Sequence, residues 1–261
     1  MNRTTLGAVA CFAVLVALAG SATGAVSSAA ERLPASHGLV DVDPEDCLQI
    51  PPEDVPPLAV SMDEKFPLEI RVLAEARDLT TVKRNMKVTK GAFARIGLPV
   101  KLRYQTVVAP DEWTADTSFG GGPAQAEILD FMKSIFGGER PSGVDVVYFM
   151  TQHWDGGFAD CIGGIRAADR AFAFGSVEYA IEGVVPSPTV DEGAIAAHEI
   201  GHLLGAHHHY ANCAEALPSG AIRGDTNPCT TMWPLAASIS STFGLLERSF
   251  IRSYAAAYAK G

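Results

Sequence analysis

Residues 189 to 208 read Thr189-Val190-Asp191-Glu192-Gly193-Ala194-Ile195-Ala196-Ala197-His198-Glu199-Ile200-Gly201-His202-Leu203-Leu204-Gly205-Ala206-His207-His208. Thr189 and Glu192 have capping-box spacing, which predicts a helix start at this point. His198 and His202 are four apart and therefore project from one helical face, a turn from each other. Two imidazoles so placed can hold one zinc ion at about 2.0–2.1 Å per nitrogen. Glu199 sits roughly 100° further around the helix, beside such an ion without needing to bind it. Gly205 can adopt positive φ and end the helix, letting the chain turn back towards the histidines. His208 then offers a third ligand, with a fourth position left open for water and a polarised carbonyl. A carboxylate beside that water can take its proton, because the metal lowers the water's pKa towards ~7.

Five of the seven histidines fall between positions 198 and 209, and a helical His pair alone would not explain that concentration. His207 and His209 flank His208, so a register ambiguity stays open.

Upstream of the helix the hydrophobic period alternates between two and 3.6. Leu68, Ile70, Val72 and Ala74 alternate with charged residues, except at Leu73, which predicts a strand. Val82, Met86, Thr89, Phe93 and Ile96 recur at helical spacing, with Gly97 as the stop. Val100, Leu102 and Tyr104 predict a second strand, and Pro123 opens a helix carrying Ile128, Phe131, Met132 and Ile135, ended by Gly137. Val144 to Met150 is a continuous apolar run of central-strand type, and Ala171 to Val177 is a weaker strand candidate. This order implies a mostly parallel sheet covered by helices. Gly120-Gly121-Gly122 lacks the Lys-Ser/Thr of a phosphate loop and reads as a plain loop. Near the other end, Leu246, Phe250, Tyr254 and Ala257 predict the packing stripe of a last helix.

Residues 1–30 carry one charge, Arg3, an apolar run from Leu6 to Ala19 and then small residues. That layout is expected of a secretory signal peptide cut after Ala25 or Ala30; an uncleaved anchor is the alternative reading. Its removal leaves 19 basic residues against 30 acidic ones, and no Lys/Arg cluster points to nucleic acid. No later run is long enough to span a bilayer, so no membrane partner is expected after signal removal. Residues 31–66, acidic and proline-rich, read as an N-terminal extension or short pro-segment. Cys47, Cys161, Cys213 and Cys229 remain in the mature chain, an even count that favours two disulfides in an exported protein, with three pairings open.

The run His198-Glu199-x-x-His202-x-x-Gly205-x-x-His208 resembles the metzincin zinc peptidases, and in detail their reprolysin (adamalysin) branch. Gly201 between the Glu and the second His, Cys213 five residues after the third His, and Cys229-Thr230-Thr231-Met232-Trp233-Pro234 are similar to that branch. The chain departs from it at His209, where Asp is usual, and at Cys229, one residue further from Met232 than usual. The resemblance implies an α/β (α+β) fold. Its parts are a mixed, mostly parallel twisted sheet with covering helices, a zinc cleft and a small, mainly helical or irregular C-terminal subdomain. Residues 67–205 would form the N-terminal subdomain and 206–261 the C-terminal one.

The same resemblance implies a secreted zinc endopeptidase holding one Zn2+ through His198, His202 and His208, with Glu199 as general base and Met232 as a hydrophobic floor. Extended polypeptide substrates would pair with an edge strand, for which Gly157, Phe158 and Ala159 are the candidates, and Trp233 to Ser241 would wall the primed-side pocket. Cys213 and Cys229 flank the loop from third ligand to Met-turn and are expected to pair, leaving Cys47 and Cys161 as the second bridge. Cys47 as a zinc-capping thiolate stays open beside that pairing. A zinc-stabilised binding module without catalysis is the alternative function, and a metal buffer a third; neither has a use for Glu199.

Overall fold

A computed structural model describes residues 67–113, 122–178, 192–208, 230–232 and 241–259. The signal-peptide and extension readings, Thr189, His209, Cys47, Cys213, Cys229 and Trp233 to Ser240 therefore lie outside the described residues.

The elements follow the expected order. They are β1 (Leu68–Glu75), α1 (Leu79–Arg95), β2 (Val100–Val107), α2 (Gln125–Ser134), β3 (Val146–Thr151), β4 (Gly157–Ala159), β5 (Phe172–Ser176), α3 (Glu192–Leu203) and α4 (Leu245–Tyr258). Gly97 ends α1 as expected, at a φ of 75° that L side chains avoid. The strands form one sheet in the order β2-β1-β3-β5-β4. All neighbours run parallel except β4, which pairs antiparallel with β5 through Gly157↔Gly175, Phe158↔Phe174 and Ala159↔Ala173. The fold is mixed α/β, as the alternation of periods implied.

Burial explains the break in alternation at Leu73. Its neighbours Ile70, Val72 and Ala74 face a core shared with Val82, Met86, Tyr148, Ala197 and Ile200, on the side of α1 and α3. Leu73 faces the other side, where α2 lays Ile128, Leu129 and Met132 over Val147, Phe149, Phe172 and Phe174. A sheet covered on both faces buries every residue of its central strands, and all six positions of β3 are buried.

Helix α3 lies deep in the structure, with every residue from Gly193 to Leu203 buried. A Cβ at Gly193 would collide with the Asn85 carbonyl, so this glycine lets α3 close onto the backbone of α1. Thr89 donates to the Gly193 carbonyl (2.8 Å), and Asn85 Nδ2 to that of Val177 (3.0 Å), tying α1 to both α3 and the end of β5.

The expected stripe on the last helix holds at Tyr254 and, half-buried, at Phe250, and is corrected at Leu246 and Ala257. Leu246 is 64% exposed and Ala257 is exposed, while Glu247, Ile251, Ser253, Tyr254 and Ala255 turn inward. Glu247 sets this rotation by accepting hydrogen bonds from Thr230 Oγ1 (2.7 Å) and from the Gly244 N–H at the start of the helix. A buried carboxylate with two donors is stable where one without them would not be.

Candidate active site

The last turn of α3 is closed by backbone bonds from Gly205 N–H to the His202 carbonyl (2.8 Å) and from Ala206 N–H to that of Gly201 (3.0 Å). Gly205 stands at φ +82°, and any Cβ there would lie 2.6 Å from Cδ2 of Tyr254. Glycine is thus required twice at this position, for its backbone angle and for the α4 ring packed against it. The turn brings His208 back to the helix: His198, His202 and His208 are all buried, whereas His207 is exposed.

The three Nε2 atoms form a nearly equilateral triangle, with 3.0 Å from His198 to His208, 3.0 Å from His198 to His202 and 3.2 Å from His202 to His208. The other ring nitrogens decide what these distances mean. His198 Nδ1–H donates to the Thr231 carbonyl (2.6 Å), and His202 Nδ1–H to that of Ala206 (2.7 Å). A neutral imidazole whose Nδ1 carries the proton presents a lone pair at Nε2. Lone pairs converging at this range repel unless a cation lies among them, and carbonyl-anchored imidazoles are the usual outer support of a metal site. The donor set, three imidazole nitrogens in a buried cluster, fits zinc.

Glu199, also buried, points to the sheet surface at β4: a Cβ on Gly157 would lie 2.6 Å from its Cγ and collide with Oε1. Below the helix, Met232 is fully buried, and its Sδ would lie 2.8 Å from a Cβ at Gly201. Thr231 N–H bonds to the Thr242 carbonyl (2.9 Å), which anchors this short segment.

The profile of the M12B reprolysin-like metallopeptidases matches residues 81–209, 129 of the 261 residues, from α1 through all three histidines. That stretch is similar to the zinc metallopeptidases of this family. No curated protein matches the chain in sequence. Among solved structures it is similar to an archaemetzincin from Methanopyrus kandleri (16% identity, TM-score 0.48, covering 75% of this chain and 98% of that one). It is also similar to metalloproteinase-II from Bacteroides fragilis (14%, TM-score 0.43, 75% of this chain), of whose length it spans 54%. A third is mature mirolysin from Tannerella forsythia in complex with a cleaved peptide (13%, TM-score 0.44, 72% of this chain and 89% of that one).

The structure brings His198, Glu199, His202, His208 and Met232 together; His198, His202 and His208 form a group that could hold a metal, while His207 is exposed. Gly157, Phe158 and Ala159 form β4, the antiparallel strand at the end of the sheet order, directly beside Glu199. Cys161 follows β4, fully buried, its Sγ 3.5 Å from Arg170 Nε. Sequence reasoning missed the Thr231 carbonyl, since a backbone group 33 residues from its histidine leaves no mark in the residue pattern. It also missed why Gly157 lacks a side chain.

Proposed function

We propose that this chain is a secreted zinc endopeptidase in which Glu199 is the general base. The observation that carries the proposal is the triangle of Nε2 atoms 3.0–3.2 Å apart, with the Glu199 carboxylate one helical step away at the edge of the sheet. Zinc bound by His198, His202 and His208 would supply Lewis-acid polarisation of the scissile carbonyl and acidification of water. Glu199 accepts the proton of the attacking water and passes it to the leaving amine. Its backbone is held by α3, so the carboxylate needs no reorganisation to reach its position. An extended peptide pairs with β4 through main-chain hydrogen bonds, which hold many sequences in one register. Gly157 leaves room for the carboxylate on that same strand.

Glu199→Gln keeps the shape and removes the base, so turnover falls by about 10²–10⁴-fold at unchanged zinc content. Undiminished cleavage of a denatured protein by Glu199→Gln would overturn this role. Wild-type enzyme at full zinc occupancy that cuts nothing in a peptide library would overturn the peptidase reading itself. Secretion, and with it the Cys213–Cys229 and Cys47–Cys161 bridges, belongs to the same proposal and is read by N-terminal sequencing and non-reducing peptide mapping of exported protein.

A further inference from the structure

Tyr148, in the middle of β3, is fully buried. Among the described residues its hydroxyl has no hydrogen-bond partner. A buried hydroxyl without one costs stability that phenylalanine would avoid, so its retention asks for a use. Its surroundings supply one. A Cβ at Gly175 on β5 would collide with the Tyr148 oxygen and lie 3.5 Å from Gly157 Cα. Gly157 and Gly175 are cross-strand partners. The space left by the missing side chain of one is taken by the Tyr148 hydroxyl, and that left by the other is taken by the Glu199 carboxylate. Side chains on directly paired residues sit only about 4.5–5.5 Å apart, so two side chains occupying those places are neighbours. The two glycines thus make a side-chain-free window in the sheet surface, with the phenol on one side and the carboxylate on the other. The Tyr148 phenol is held well above its ordinary range, by burial first and by the Glu199 charge second, which keeps it a protonated donor.

We propose that Tyr148 is a positioning residue: through the Gly157–Gly175 window its hydroxyl donates to the Glu199 carboxylate and holds it on the attacking water. This rests on Glu199 being the general base. The bond need not be closed in the resting enzyme, because catalytic hydrogen bonds tighten when substrate binds.

Tyr148→Phe removes one oxygen and should fold normally. Loss of a hydrogen bond to a charged group should lower kcat about 10-fold or more, with KM and zinc content unchanged. A second readout is independent of turnover. The chain has six tyrosines, and in Cζ-labelled protein the resonance missing from Tyr148→Phe should move in Glu199→Gln more than the others. An unchanged kcat in Tyr148→Phe, or a Tyr148 resonance indifferent to Glu199→Gln, would overturn the proposal. A raised KM at constant kcat would also overturn it, by showing a structural role at the substrate strand. Full activity in Glu199→Gln would sink the general-base reading instead, and the resonance would still report whether the two groups meet.

Discussion

The two faces of the sheet differ in the size of what they carry. Towards α2, β3 and β5 present Phe149, Phe172 and Phe174, which pack with Met132 and Ile128 into an apolar cluster. Towards α3 the same strands present Tyr148, Ala173 and Gly175, and β4 adds Gly157 and Ala159. Large side chains on the first face fill space and contribute stability through burial and dispersion. Small ones on the second let a helix bearing His198, His202 and Glu199 come close enough for Glu199 to rest on the strand itself. The proposed chemistry lies on the face with the smaller side chains, and the larger share of buried aromatic surface lies on the other.

Substitutions test whether that division is real. The largest effect is expected at the centre of the face with the smaller side chains: His208→Ala removes one of three ligands and should abolish zinc retention and cleavage together, whereas His207→Ala should leave both unchanged. Metal analysis of the two purified variants checks this, and the reverse ranking would break the division at its root.

A subtler change on the same face is Gly157→Ala. The new methyl collides with Glu199 Oε1, and displacing a catalytic group by about 1 Å costs on the order of 10²-fold in rate. Zinc content should be unaffected, because no ligand moves. Normal kcat in this variant would show that Glu199 has room to spare and that the missing side chain serves some other purpose.

The aromatic face should respond in the opposite sense. Phe149→Ala deletes a fully buried ring that packs 5.8 Å from Phe131, at a cost of about 3–5 kcal/mol in stability. Denaturant titration should register this loss, while specific activity per folded, zinc-loaded molecule stays near that of the wild type. A fall in kcat would mean that the two faces are mechanically coupled.

Much of this arrangement was legible before any coordinates. Period-two runs located β1 and β2, a continuous apolar run located β3 with β5 as a weaker candidate, and 3.6-residue recurrence located α1 and α2, because the spacing of buried side chains is set by backbone geometry. The candidate site was legible from His198 to His208, where one helix and one turn carry the three histidines and Glu199, although Thr231 and Tyr254, which support them, were not. Three further things were not. Leu73 reads as an irregularity until a second helical layer covers it. The stripe on α4 was misassigned at Leu246 and Ala257 because Glu247, a charged residue, is drawn inward by donors at Thr230 and Gly244 that are remote from any periodicity. The glycine window depends on the register between β4 and β5, and antiparallel pairing across a dozen intervening residues leaves no signal in a single sequence.

The support of the histidines also has a consequence for biosynthesis. His198 and His202 leave the ribosome four residues apart, yet the carbonyl that holds the His198 ring belongs to Thr231, and the turn that returns His208 packs on Tyr254 in the last helix. A chain made only as far as α3 therefore offers two loosely oriented imidazoles to any cation it meets, and the three-histidine cluster closes only once Thr231 and α4 have been made. Metal acquisition would then follow the docking of α4 and of the Thr231 segment, in whatever compartment that docking takes place.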